Sequence, residues 1–216
     1  MGSLRLYAIA IDEVREIFGA PEATATALRA VAAHRFPAAP STAPGLLAKL
    51  GPVFRRAPDA PVLRPGVPSG SDVDTLLAGR YVPPHRLSAC WALFEAFVES
   101  MAWGSTSQPV GEAELNEFDF DLARAAVPSR FGLRHVLRAD LGISMLPPPG
   151  LAAGFAHSDH VTAMATAWHA AWPLLEPDNQ PIANSLLAWF DQYPGWVERA
   201  SSASRPAPDL VAFLGI

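Results

Sequence analysis

The hydrophobic positions of the chain repeat most regularly between Pro83 and Trp103. Apolar residues there recur at steps of three and four, the period of an α-helix with one buried side: Leu87, Cys90, Trp91, Phe94, Phe97, Val98 and Met101. Pro83 and Pro84 suit a first helical turn, and Gly104 is placed to end the helix. We therefore predict a central core helix over this stretch.

Apolar runs elsewhere predict a small sheet. A strand that is apolar on both faces begins at Leu4, and the Asp-Leu-Val-Ala-Phe-Leu-Gly run predicts a strand close to the other end of the chain. Two short central strands are predicted at 141–146 and 151–155. Pairing of the terminal strands would hold both ends of the chain.

Helical periodicity fills most of the remaining sequence. We predict a short helix that Asp12 caps, an Ala-rich helix that begins at Pro21, and a helix with a capping box of Ser71 and Asp74. Further helices are predicted within 111–138, from Ser158 or Asp159, from about 182 to 192, and after Pro194. The sequence thus predicts an α+β fold, a mostly helical single domain over 1–216 with about four strands.

One proline-rich stretch, residues 37–71, interrupts this pattern. Prolines recur there, and only a short helix around Leu46 to Leu50 is predicted within an irregular or polyproline-like path. The segment is either a linker or an ordered arm across the surface, since its apolar residues Val53, Phe54 and Val62 are unusual in a free tether.

Composition limits the classes of function. With 216 residues, half of them hydrophobic, the chain can bury a large core without a disulfide or a metal. The net charge is -5 and the basic residues are scattered along the sequence, so we expect no nucleic-acid partner. The single cysteine, Cys90, the lack of a secretion-signal pattern and the absence of a long apolar run favour a cytoplasmic protein with no membrane partner.

Several segments together resemble a known family. They are the opening Leu-Tyr-Ala strand and the ranges 46–56, 82–103, 118–124, 128–133 and 208–213. On these segments the chain resembles an uncharacterised family of actinobacterial proteins. That family has no assigned activity, so the resemblance implies one shared architecture and transfers no catalytic residue.

The histidines near residue 160 are the best candidates for a metal site. His157 and His160 are three residues apart, and Asp159 could complete a site with them. However, His157 precedes the predicted helix, and no His-Glu-x-x-His pattern is present. We favour solvated residues around a helix start, and we expect no cofactor.

Two glutamates on the predicted core helix are the best candidates for catalysis or ligand binding. Glu95 and Glu99 are one turn apart, and like charges at this spacing repel unless a positive group faces them. The favoured interpretation is ion pairing with Arg130, Arg134 or Arg138, or simple solvation. The alternative is an acid/base pair in a cleft that also contains the nearby candidates, His85, His135 and Arg134.

The tryptophans of the second half of the chain have two interpretations. Trp168 and Trp172 are one helical turn apart, and Trp196 belongs to a second aromatic group that begins at Trp189. Packing of two helices through these rings is favoured over a ligand or partner surface, although tryptophan is common in binding hot spots.

Because no set of catalytic residues is recognisable, we expect a non-catalytic protein. The favoured function is binding or regulation of another protein through the proline-rich segment and exposed aromatic residues. The alternative is a small-molecule binder or enzyme that uses the Glu/His/Arg-lined cleft. A concave pocket in which at least two of those side chains converge would favour this alternative.

Overall fold

The computed structural model describes residues 2–37 and 66–215, which form one antiparallel sheet and nine α-helices. The strands are β1 (Ser3–Ile9), β2 (Gly104–Gln108), β3 (Leu151–Ala156) and β4 (Asp209–Gly215). The helices are α1 (Ile11–Glu16), α2 (Glu22–Arg35), α3 (Gly70–Leu77), α4 (Leu87–Met101), α5 (Glu112–Arg124), α6 (Leu133–Val136), α7 (Ser158–Ala171), α8 (Gln180–Phe190) and α9 (Tyr193–Ser202).

The strand order is β2-β1-β4-β3, so the strands nearest the two ends of the chain form the central pair. They pair antiparallel from Ser3 opposite Gly215 to Ile9 opposite Asp209. The α+β prediction, with a small sheet that includes both terminal strands, is confirmed.

One of the four predicted strands is wrong. Residues 141–146 form an irregular loop, in which Gly142 has a φ of 68° and donates its N–H to the Asp140 carboxylate. Their apolar residues are explained by the burial of Leu141 and Met145 against the helical layer. The fourth strand is β2, whose Gly-Ser-Thr-Ser-Gln sequence is polar because β2 is an edge strand with half-exposed side chains.

Helices cover both faces of the sheet, as the two-sided apolar pattern of β1 predicts. Leu4 and Leu6 face the hydrophobic core formed with α5 to α9, whereas Tyr7 and Ile9 face the core formed with α1 to α4. The two cores are therefore separated by the sheet, and each residue's position along β1 decides which core it joins.

The core helix α4 is confirmed. Trp91 is 3% exposed and Phe94 is fully buried, and both rings contact Phe213 of β4. The two prolines lie just outside the α-helix, where Pro84 begins a single 3-10 turn that ends at Arg86. The main apolar stripe of the sequence thus packs against one face of the sheet.

The predicted helix caps need three corrections. The capping box of α3 is formed by Ser69 and Asp72, two residues earlier than predicted. Asp12 does not cap α1, and neither Ser158 nor Asp159 caps α7. A carboxylate distant in sequence serves both helices instead: Asp209 accepts hydrogen bonds of 2.9 Å from the N–H groups of Ile11 and Ser158.

A buried ion pair joins α3 to the start of α4. Arg86 Nε donates to Asp72 at 2.9 Å, and both side chains are about 5% exposed. Burial alone would raise the pKa of Asp72, but hydrogen bonds from Arg86 and Ser69 lower it below its usual value. Burial, together with Asp72, raises the pKa of the adjacent Cys90 thiol to about 12, so the thiol stays protonated and unreactive.

The Asp72 carboxylate makes stability depend on pH. Because its folded pKa lies below the unfolded one, its contribution is complete above the unfolded pKa of about 4 and is lost as pH falls through the folded pKa. Between pH 7 and pH 3, the wild type should therefore lose more unfolding free energy than Asp72→Asn does. Urea denaturation at both pH values checks this, and equal losses would contradict it.

The proline-rich segment 37–71 and the short helix at 46–50 fall almost entirely on residues outside the described ranges. The surface with which this segment was expected to contact another protein therefore also lies outside the described ranges. Among the described residues, no helix is both long and apolar enough to cross a membrane.

Candidate functional site

A cleft of about 560 Å³ lies beside the core helix, between α4, the C-terminal end of α2 and the strands β1 and β2. We call it the α4 cleft. Its polar lining consists of Arg5, Tyr7, Arg35, Glu95, Glu99, Ser105, Thr106 and Ser107.

Strand alternation and helix periodicity bring these side chains together. Arg5 and Tyr7 are two residues apart on β1, so they share one face of the sheet, and β2 pairs Ser107 opposite Arg5. Glu95 and Glu99 are four residues apart on α4, which places them on one side of the helix. The cleft is therefore built on regular elements rather than on loops.

The inner part of the α4 cleft is a hydrogen-bonded group of three residues. Arg5 Nη1 lies 2.6 Å from the Glu95 carboxylate, and the Tyr7 hydroxyl donates to Glu95 at 2.7 Å. Burial, and then the nearby Glu95 charge, raises the pKa of Tyr7 well above its usual value. Tyr7 is therefore a fixed hydrogen-bond donor at physiological pH, and it orients Glu95.

The outer part of the cleft is more exposed. Glu99 pairs with Arg35 at the end of α2, where both side chains are roughly half exposed. Phe36 and two alanines of α4, Ala92 and Ala96, complete the lining with apolar surface. The cleft thus contains two ion pairs. The Arg5–Glu95 pair lies inside, and the Arg35–Glu99 pair lies at the mouth.

The structure brings together only part of the predicted glutamate site. Glu95 and Glu99 share the α4 cleft, whereas His85 is exposed on the 3-10 turn before α4 and does not line it. His135 and Arg134 lie on α6 and line a different pocket.

The predicted ion-pair partners of the glutamates are wrong. Their partners are Arg5 and Arg35, from the first 35 residues of the chain, rather than the arginines at positions 130, 134 and 138. Arg134 instead pairs with Glu112 of α5, 3.2 Å away. The positive charge that the glutamate spacing requires is therefore present, but it comes from β1 and α2.

The metal-site candidates have separate partners. His157 Nδ1 lies 3.4 Å from Asp209, and His160 Nε2 donates to the Arg130 carbonyl at 2.8 Å. Asp159 is exposed in the first turn of α7. Within residues 2–37 and 66–215, no three His, Cys, Asp or Glu side chains are grouped closely enough to hold a metal ion.

The tryptophan candidates belong mainly to the core between the sheet and α5 to α9. Trp168 is 1% exposed and donates its indole N–H to the Phe131 carbonyl, and Trp196 is 3% exposed and contacts Trp189. Trp172 is partly buried against the same core. These rings pack helices together, so Trp168 and Trp196 offer no surface to a partner.

The site residues predicted from the sequence did not include Arg5, Tyr7, Arg35 or the β2 serines. One signal was present: Arg5 places a charge in a strand whose neighbours are apolar on both faces, and a charge in such a strand needs a partner. The sequence pattern does not predict β2, so Ser105 and Ser107 could not be found in this way.

The α4 cleft offers hydrogen-bond donors and acceptors from charged and neutral side chains. The Glu95 carboxylate accepts hydrogen bonds from Arg5 and Tyr7 and retains acceptor capacity for a further donor, and the serine hydroxyls can both donate and accept. Such a lining suits a small polar molecule that makes several directed hydrogen bonds.

A family model described as a domain of unknown function, DUF7691, matches residues 1–215. No curated protein and no solved structure matches the chain.

Proposed function

We propose that the chain, which belongs to the DUF7691 family of domains of unknown function, binds a small polar molecule in the α4 cleft. The observation that carries this proposal is the convergence of Glu95 and Glu99 with Arg5 and Arg35 in one concavity. The site is preorganised, since Tyr7 and Arg5 hold Glu95 before any ligand enters.

The charges of the cleft favour a zwitterionic ligand. The two carboxylates and two guanidinium groups of the cleft sum to no net charge. A ligand that carries a net charge would therefore have no opposite net charge in the cleft to compensate it. A molecule with an ammonium and a carboxylate group can replace the direct Glu99–Arg35 contact at the mouth, with its ammonium on Glu99 and its carboxylate on Arg35, and with its other polar atoms near the β2 serines. Free amino acids are the simplest members of this class.

Binding of another protein has less support from the described surface. The buried Trp168 and Trp196 are unavailable. The exposed aromatic rings do not belong to one element: Tyr81 lies in the loop after α3, and Phe120 lies on α5, which packs on the other face of the sheet. We propose a cytoplasmic location, because a free, buried Cys90 suits a reducing compartment.

A panel of free amino acids tests the proposal, with glucose as an uncharged polar probe. Thermal unfolding identifies the probes that stabilise the wild type, and calorimetry then gives their Kd. Ser107→Trp should fill the cleft and raise the Kd of the amino acid that binds most tightly about tenfold or more. The matched control is Ser201→Trp, on an exposed serine of α9 on the other face of the sheet, which should leave the Kd unchanged.

Two outcomes overturn the proposal. One is that no amino acid binds the wild type, or that glucose binds while the amino acids do not, which would exclude the zwitterionic class. The other is that Ser107→Trp and Ser201→Trp give the same Kd as the wild type, which would place the binding site elsewhere.

A further inference from the structure

A basic segment follows α5 in a chain that is acidic as a whole. Between Asp121 and Asp140 the sequence has no acidic residue, but it has four arginines and one histidine, namely Arg124, Arg130, Arg134, His135 and Arg138. The fold turns this segment through a 3-10 turn at Ser129–Phe131 and then α6. Arg124 pairs with Glu176 and Arg134 with Glu112, so within the described residues the arginines of the segment without an ion pair are Arg130 and Arg138.

Part of the segment lines a concavity of about 190 Å³ between the end of α5 and α6, which we call the α6 pocket. Three of its lining side chains can donate hydrogen bonds: the Ser129 hydroxyl, the His135 imidazole and the Arg138 guanidinium. Within the described part of the chain, no hydrogen bond or ion pair engages any of these three groups. They are therefore available to a ligand.

The other charged groups at the α6 pocket already have partners. Asp119 accepts hydrogen bonds from the backbone N–H groups of Leu133 at 3.0 Å and Arg134 at 2.9 Å. The Arg134 side chain pairs with Glu112 and hydrogen-bonds Asn116. The Asp119 carboxylate thus fixes the start of α6. The donors that have no partner in the described residues are those of Ser129, His135 and Arg138.

A second imidazole supports His135. The rings of His135 and His160 stack with centroids 6.1 Å apart, and His160 is itself fixed by its hydrogen bond to the Arg130 carbonyl. The His160 ring therefore packs beside His135 of α6 at the edge of the pocket.

We propose that the α6 pocket binds a phosphoryl group. A tetrahedral oxyanion accepts several hydrogen bonds from different directions, which matches three donors from separate positions around one concavity. The pocket is large enough for one phosphoryl group, so the rest of a phosphate monoester would extend into solvent. This inference does not depend on the α4 cleft, because the two sites share no residue.

Titration calorimetry at low ionic strength tests the proposal with three probes: inorganic phosphate, phenyl phosphate and benzoate. Both phosphates should bind saturably, and benzoate should bind at least about tenfold more weakly. Tighter binding of phenyl phosphate than of inorganic phosphate would identify a monoester as the natural class, and the reverse order would identify the free ion.

Three variants assign the binding to the pocket. Arg138→Gln and His135→Gln, both on exposed residues, should each weaken phosphate binding about fivefold to tenfold. The control Arg80→Gln removes an exposed arginine outside the pocket and should change the Kd less than twofold, about 0.4 kcal/mol. Absence of saturable phosphate binding, or equal effects of Arg80→Gln and Arg138→Gln, would overturn the proposal.

Discussion

Replacement of Arg86 by methionine should lower the free energy of unfolding by about 3 to 5 kcal/mol, because it leaves a buried carboxylate without its ionic partner. Arg86 donates to both oxygens of Asp72 and also to the Val67 carbonyl at 2.8 Å. Methionine fills similar space but donates no hydrogen bond. Urea denaturation of the wild type and Arg86→Met measures the loss.

The matched control is Arg29→Met. Arg29 lies 3.4 Å from Glu22 and 3.5 Å from Asp74, and its side chain is 45% exposed. An exposed pair of this kind contributes about 0 to 1 kcal/mol. If the charge of Asp72 causes the loss, Asp72→Asn added to Arg86→Met should recover about 1 kcal/mol or more. Equal losses in Arg86→Met and Arg29→Met would contradict the role of the buried pair.

Gly154→Ala should destabilise the fold by about 3 kcal/mol, the upper end of the usual cost of overpacking. A Cβ on Gly154 of β3 would lie 2.1 Å from the Val136 carbonyl oxygen and 2.8 Å from Leu137 backbone atoms. Because these atoms belong to the backbone at the end of α6, no side-chain rotation relieves the clash. Either α6 or β3 must move, and thermal and urea unfolding measure the cost.

Gly195→Ala provides the control for this substitution. Gly195 lies in α9, and apart from its chain neighbours and the backbone of its own helix a Cβ at that position would meet no atom within 4 Å. Alanine there should stabilise the helix by about 0.5 to 1 kcal/mol. An unfolding free energy of Gly154→Ala within about 0.5 kcal/mol of the wild type would show that α6 does not pack on β3 as described.

The sequence predicted the parts of the fold in which burial produces a repeating pattern. The helical stripe of α4 and the two-sided apolar strands β1 and β4 have such patterns, since their side chains contact the sheet or a helical layer at regular intervals. The failures occurred where burial is irregular. Leu141 and Met145 are buried from a loop, and β2 exposes polar side chains at a sheet edge.

Prediction of the site was limited by contacts between residues that are distant in sequence. The spacing of Glu95 and Glu99 correctly indicated that a positive group faces them, because it depends on one helix alone. The partners Arg5 and Arg35 are 90 and 64 residues away, and they come close only because β1 and α2 both pack against α4. Local patterns therefore identify the need for a partner, and the topology determines which residue supplies it.

The proposed function requires that a small zwitterion binds in the α4 cleft. Two-dimensional NMR of the assigned protein, titrated with the amino acid that stabilises it most, locates the bound ligand on the chain. We expect saturable shifts of backbone amides around Arg5, Glu99 and Ser105, with residues of the α6 pocket such as Arg138 unchanged. Saturable shifts confined to residues outside the α4 cleft, or no shift at any amino acid concentration, would contradict it.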